Sequence, residues 1–392
     1  MLPTTAAIEK ARAIMMRFAE RTGLSSDRPK QRYLWTDAFA VCNFLSLAQA
    51  TGEARYTDLA LRLVDQVHHV LGTYRPDDSR RGWISGLSVQ EGEAHPTRGG
   101  LRIGKPLPER AVSDPFDEQL EWERDGQYFH YLTKWMHALD QLSRWTGNAQ
   151  LNTWARELAA AAHDAFTVSD SNGRRMVWKM STDLSRPLVP SMGHHDPLDG
   201  FITCIELQTT QSTLSSAGKA VSGSSLQEAA QDFAAMIEGQ DWATPDPLGL
   251  GGLLTDASRV AQLMRVGAFV GDALLLRLLV AALQGLSYYA RQNDLSQPAS
   301  RRLAFRELGL AIGLAAVERI EAEKGGADQQ LPPSPEVQER LDALKPYVPL
   351  GSAIESFWLD PAHQEARTWS EHRDINEVML ATSLVPGGFL RI

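Results

Sequence analysis

Leu303-Ala304-Phe305-Arg306-Glu307-Leu308-Gly309-Leu310-Ala311-Ile312-Gly313-Leu314-Ala315-Ala316-Val317 places Leu, Ile, Phe, Ala and Gly on every face of a helix. A helix without a polar face is buried on both sides. Residues 273–283 repeat the pattern, with Arg277 as their one charge. By contrast, 150–167 and 335–346 keep a clear polar face. Two layers account for the mixture: inner helices are sandwiched and outer helices face water. Gly309 and Gly313 stand one turn apart and let a neighbouring helix come close, at a cost of about 1 kcal/mol each against Ala. Glu307 intrudes on this apolar run, and a carboxylate buried there needs a cation. Arg277 is the candidate, in a structural rather than a catalytic pair.

Helical periodicity recurs along the rest of the chain. Tyr56, Leu59, Leu63, Val67 and Val70 form one stripe, and Tyr128, Leu132, Trp135, Leu139 and Leu142 form another. The same spacing predicts helices over 5–21, 35–51, 150–167, 197–213, 225–239, 253–265, 271–291, 302–323, 335–346 and 371–383. The connectors differ in kind. Residues 52–54 and 147–149 are short turns, whereas 74–125, 168–196, 241–252 and 347–370 are long and rich in Gly, Pro, Trp and charge. Long connectors in a compact domain usually carry function. Met176–Met180 reads as a short strand within that loop layer, and 325–335 as an exposed low-complexity loop.

The chain has 392 residues and a net charge of -9, and no Lys/Arg cluster offers the basic face that nucleic acid requires. Cys42 and Cys204 are too few and too scattered for a disulfide framework or a zinc motif, and read as reduced core residues. No stretch reaches the ~20 apolar residues of a membrane span, and the N-terminus lacks the pattern of a signal peptide. A cytoplasmic protein, monomeric or a homodimer, is the expectation.

Some twelve helices in alternating layers, counted by periodicity, with elaborate loops gathered at one end, resemble the six-hairpin (α/α)6 toroid. That superfamily includes glycoside hydrolases, unsaturated-uronyl hydrolases and sugar isomerases of the N-acylglucosamine 2-epimerase type. The resemblance implies an all-α fold, a single barrel domain over 1–392, and a saccharide as the substrate class.

Residues 117–131 pack carboxylates, aromatics, an Arg and a His against the start of a helix, a mixture suited to sugar faces and hydroxyls. Glu121 and Glu123 alternate with Trp122, and Asp125 stands where an N-cap belongs. His194-His195-Asp196-Pro197-Leu198-Asp199 opens the next long helix. It reads as acid–base machinery, as a metal site, or as a cap made by Asp196 with Pro197 in the first turn. Three further clusters open helices: 32–37 with Trp35 and Asp37, 241–247 with Trp242, and 369–377 with His372, Arg373 and Asp374.

For glycoside hydrolysis, Glu123 or Asp125 pairs with Asp199 as acid and base. For epimerisation the bases are His195 and His372. Trp35, Trp83, Trp122, Tyr128, Trp178, Trp242 and Trp358 would line sugar subsites, with Asp37, Glu121, His130, His194, Arg373 and Asp374 as polar partners. The carboxylates outnumber the histidines, which puts hydrolysis first. Neither reaction calls for a cofactor or a resident metal. A noncatalytic carbohydrate-binding scaffold is the competing class. An isoprenoid cyclase ranks last, because Asp77-Asp78-Ser79-Arg80-Arg81 has Arg where the last Asp of the metal motif belongs.

Overall fold

The computed structural model of the chain describes residues 3–170, 173–219, 225–269, 271–292, 294–322 and 334–392. In chain order the helices are α1 (Thr5–Arg21), α2 (Leu34–Thr51), α3 (Ala54–Leu71), α4 (Val89–Ala94), α5 (Glu118–Glu121), α6 (Phe129–Thr146), α7 (Ala149–Phe166), α8 (Asp196–Ser216) and α9 (Gln227–Met236). They continue with α10 (Pro247–Arg265), α11 (Ala273–Gln292), α12 (Ala304–Ala322), α13 (Pro335–Leu344), α14 (Pro349–Leu359), α15 (Pro361–Gln364), α16 (Arg367–Ser370), α17 (Arg373–Leu384) and α18 (Gly387–Leu390). Short strands β1 (Gln127–Tyr128), β2 (Thr167–Asp170), β3 (Gly173–Met176), β4 (Lys179–Met180) and β5 (Pro187–Val189) lie in the connectors. The protein is thus all-α with a small β element among its loops. The strand expected over 176–180 is the end of β3 and the whole of β4. Most of the low-complexity piece at 325–335 lies outside the described residues.

The chain divides into two units, each drawn from separated stretches. Unit 1 holds Met1–Phe18, Ser46–Glu53 and Gln240–Ile392; unit 2 holds Ala19–Leu45 and Ala54–Gly239.

In unit 2, α6 packs on α3, α7 and α8. Its stripe Leu132, Trp135, Leu139 and Leu142 is wholly buried, and each such side chain contributes about 1.5–3 kcal/mol. Gly147 ends α6 in a left-handed conformation (φ 69°), and the Asn148 side chain caps α7 by accepting from Gln150 N at 3.0 Å. The short turn expected at 147–149 is therefore a C-cap followed directly by an N-cap.

In unit 1, α12 is enclosed by α10, α13, α14 and α17, as its apolar circumference requires. Its two glycines meet a third on α10. A Cβ on Gly313 would lie 2.6 Å from Gly251 Cα, and one on Gly251 would run into the Gly309 carbonyl oxygen. This close approach also corrects one boundary. The Gly-rich tract expected as a loop at 241–252 is helical from Pro247 onward, because Asp246 accepts from Gly249 N at 2.9 Å as N-cap and Pro247 opens the turn. Packing against α12 then overrides the low helix propensity of Gly249, Gly251 and Gly252.

Three other expectations change. Residues 347–370 are not a loop: α14 runs through them and buries Ile354 and Trp358. Helix α11 is not buried all round, since Arg277 and Val280 face outward. It is long and apolar enough to cross a membrane by length and composition, but it packs on α10 and α13 within unit 1. Glu307 pairs with Arg302, not Arg277: Arg302 Nε and Nη2 reach its two oxygens at 2.8 and 2.7 Å, and Trp358 Nε1 donates at 2.7 Å.

Candidate functional site

The richest constellation lies in unit 2, where α2, α6 and α8 begin beside the sheet β1–β4–β5. Antiparallel pairing sets Tyr128 opposite Lys179, which brings Trp178 next to the entrance of α6. Gly126 has φ 139°, and a Cβ there would lie 2.7 Å from the Met180 carbonyl oxygen. Only glycine lets the two strands close here.

The aromatic rings interlock. The His130 imidazole stacks on Tyr128 (centroids 5.4 Å apart, 26° between planes) and lies parallel to Trp178 at 6.1 Å. Trp35, at the start of α2, meets Tyr131 at 5.3 Å and His130 at 6.1 Å. The Tyr33 and Tyr131 hydroxyls share a hydrogen bond of 2.6 Å. Trp122, 46% exposed, stands edge-on to Trp178 at 4.9 Å and extends the surface outward.

Charged groups border these rings. Asp196 and Asp199 lie on successive turns of the same face of α8. Asp199 Oδ2 accepts from Lys134 Nζ at 2.7 Å and from Thr133 Oγ1 at 2.5 Å. Asp196 Oδ1 lies 3.8 Å from His130 Nδ1. Its Oδ2 is buried without a hydrogen-bond partner, as is Trp35 Nε1. Burial, with the Asp199 charge behind it, pushes the Asp196 carboxyl up to about 7. Burial and the Lys134 ammonium push the His130 imidazole down to about 4. Burial also lowers the Lys105 ammonium, whose Nζ sits 5.5 Å from the Tyr33 ring centre.

Of the residues singled out in the sequence, Trp35, Trp122, Tyr128, His130, Trp178 and Asp199 come together here. Glu123 is exposed nearby, and its charge is felt at Tyr33, Tyr128 and Lys105. His194 and His195 precede α8 with rings 4.7 Å apart, His194 exposed and His195 half-buried. His195, not Asp196, holds the N-cap position, and its side chain makes no cap bond.

Other candidates turn out to be internal. Asp125 is no helix cap: it is fully buried, bonded to Arg102 at 2.5 Å and to the Gly104 amide at 3.0 Å. Glu121 is buried between Lys179 (2.9 Å) and Arg110 (3.0 Å). Asp37 holds Arg32 at 3.2 Å and accepts from the Tyr33 amide at 2.9 Å. Trp83 is buried against Gly72 and Gly92.

In unit 1, Trp358 is buried on Glu307, and Trp242 is buried beneath the Arg277 guanidinium, 4.3 Å from its ring centre. Two sequence clusters do meet there, around the start of α12. Asp246 pairs with Arg306, the Phe305 ring faces His372 at 5.7 Å, and Asn376 Oδ1 accepts from the Phe305 amide at 2.9 Å. His372 and Arg373 are exposed and Asp374 is half-buried. Among the described residues, no group of three or more His, Cys, Asp or Glu is placed to hold a metal ion.

Sequence reasoning missed Thr133, Lys134 and Lys105 as parts of the unit 2 site; Tyr33 and Tyr131 lay within the 32–37 and 117–131 clusters without being singled out. Lys134 had a signal, one turn after His130 on α6.

No protein-family model matches the chain, and no curated protein matches it. A solved structure to which it is similar is that of cellobiose 2-epimerase from Spirochaeta thermophila DSM 6192, at 11% identity and a TM-score of 0.48. The likeness covers 96% of this chain and 98% of that one.

Proposed function

We propose that the chain is a sugar isomerase or epimerase of the (α/α)6 six-hairpin class, working on a small saccharide at the aromatic cluster of unit 2. The observation that carries this reading is the pairing of Asp196 with His130 inside a wall of rings. A carboxyl near 7 titrates at the operating pH, the optimum for general acid–base work. The aromatic faces suit the C–H surfaces of a sugar. The unbonded Trp35 Nε1 and Asp196 Oδ2 supply a donor and an acceptor for hydroxyls.

In its ionised form Asp196 takes the proton from the carbon beside the carbonyl of the open-chain sugar. The electron pair moves onto the carbonyl oxygen as an enediolate, and the Lys134 ammonium stabilises the charge that develops there. Returning the proton to the neighbouring carbon, with the hydroxyl proton of the enediolate passing to the former carbonyl oxygen, completes an isomerisation. Delivering one to the opposite face of the same carbon completes an epimerisation, for which His195 is the imidazole we assign as donor, His130 being held neutral by burial and Lys134. Hydrolysis is less well supported, because two of the three carboxylates proposed for it are engaged, Asp125 by Arg102 and Asp199 by Lys134 and Thr133, and Glu123 is exposed, with no burial to raise it into a general acid.

Incubation with pooled mono- and disaccharides in deuterated water, followed by NMR, tests the reading. Deuterium entering a sugar carbon is expected, falling at least about 100-fold in Asp196→Asn. Its rate should drop as pH falls below about 7, where Asp196 takes up its proton. New reducing ends without deuterium would overturn the proposal in favour of hydrolysis. Saturation-transfer binding without turnover would overturn it in favour of a carbohydrate-binding protein.

A further inference from the structure

Unit 2 carries a cavity of about 500 Å³ that no part of the aromatic cluster lines. It forms where α1 ends and the chain turns toward Arg32. Gly23 (φ 71°) reverses the backbone, and a Cβ there would run into the Arg28 carbonyl oxygen. The last carbonyls of α1 are satisfied locally: Leu24 N and Ser25 N donate to Ala19 O at 2.9 and 3.0 Å, and Ser26 Oγ donates to Glu20 O at 2.7 Å. The loop is therefore held without recruiting its cations.

Arg28, Lys30 and Arg62 all line the cavity, against the single carboxylate of Asp27. Among the described residues none of the three joins an ion pair, and Arg62 makes only a long 3.4 Å contact to Leu24 O. In a chain of net charge -9, this is a local excess of positive charge around a hollow. At its floor lies Gln66, 6% exposed. Gln66 Nε2 donates to Gly23 O at 3.3 Å, which fixes the amide, while its Oε1 is buried without a partner. An unsatisfied buried acceptor calls for a donor. No aromatic ring lines the cavity, so it offers no stacking face to a nucleobase.

We infer that this cavity binds the phosphomonoester of a small polyhydroxylated molecule. Arg28, Lys30 and Arg62 take the phosphate, and Gln66 Oε1 accepts a hydroxyl hydrogen bond from the carbon skeleton. Titration calorimetry of the full chain with glucose 6-phosphate, inorganic phosphate and glucose tests it. Glucose 6-phosphate should bind at least about tenfold more tightly than either of the others, and salt should weaken it. Lys30→Gln and Arg62→Gln, both exposed, should each cut the affinity about tenfold, with unfolding midpoints unchanged. Trp35→Ala should leave it intact, which separates this site from the proposed sugar site. Glucose binding as tightly as its phosphate would overturn the inference. So would inorganic phosphate matching the ester, or an affinity lost in Trp35→Ala but kept in the cation variants.

Discussion

Gly251→Ala and Gly252→Ala are the same change at adjacent positions of α10, and the fold gives them opposite signs. In an unobstructed helix interior Ala is favoured over Gly by about 1 kcal/mol. A Cβ on Gly252 would meet nothing within 4 Å, so that variant keeps the gain. A Cβ on Gly251 would run into the Gly309 carbonyl oxygen and lie 2.8 Å from Leu310 N. These are backbone atoms of α12, and no rotamer change moves them. Restoring ordinary contact requires α10 and α12 to part by roughly 1 Å or more. The approach is close at a second point, where a Cβ on Gly309 would lie 2.6 Å from Leu248 Cδ1 of α10, and overpacking of this kind costs about 1–3 kcal/mol. Strain outweighs propensity at Gly251. The propensity gain is common to both variants and cancels in their difference, which is the strain alone, about 1–3 kcal/mol. Urea unfolding followed by circular dichroism and tryptophan fluorescence reads the midpoints, which stay comparable even if a chain of this size departs from two-state behaviour. A Gly251→Ala midpoint at or above that of the unaltered protein would refute the close helix approach.

Lys179→Met should destabilise unit 2 by about 3–5 kcal/mol, since it removes a buried ammonium that holds Glu121 at 2.9 Å and the Arg124 carbonyl at 2.8 Å; an unchanged melting temperature would contradict the pair. Burial pushes the His68 imidazole from 6.5 down to about 3. Between those values the unfolded chain binds a proton that the folded chain does not, so stability is lost as pH falls through that window. His68→Gln should accordingly move acid unfolding to lower pH, and a circular-dichroism titration showing no shift would count against it. Burial raises the Cys204 thiol to about 12 and the Cys42 thiol further, so a thiol reagent at pH 8 should label the native protein at least roughly 100-fold more slowly than the urea-unfolded chain. Rapid native labelling would show that one of them is open to solvent.

Much of the helical framework was legible because periodicity reports burial directly. The stripe from Tyr56 to Val67 and the glycines of α12 each predict a packed face that the structure fills. The boundaries that failed, at Pro247 and across α14, carry Gly and Pro. Those residues weigh against a helix locally and are overruled by tertiary contact. Part of the site was legible for a different reason: Trp35, Trp122, Tyr128, His130 and Trp178 are residues that soluble helices seldom gather at their entrances. Asp125 and Glu121 were misjudged because a carboxylate looks the same in sequence whether it faces a ligand or a buried cation. Lys105 was invisible, and Lys134 was passed over despite its spacing from His130, because a lysine on a helix or in a loop ordinarily reads as solvated.

The division of the chain also bears on how it is made. Unit 2 is complete once Gly239 has been added, whereas Met1–Phe18, which holds most of α1, belongs with Ser46–Glu53 and with Gln240–Ile392, most of which is made last. At about 5–20 residues per second, the interval on the ribosome is roughly 10–45 s. Throughout it, Ala11, Ile14, Met15 and Phe18, all buried in the finished protein, belong to a unit of which only Met1–Phe18 and Ser46–Glu53 have been made. A pause in translation soon after Gly239 would therefore leave unit 2 finished while the buried face of α1 still lacks most of the unit it belongs to.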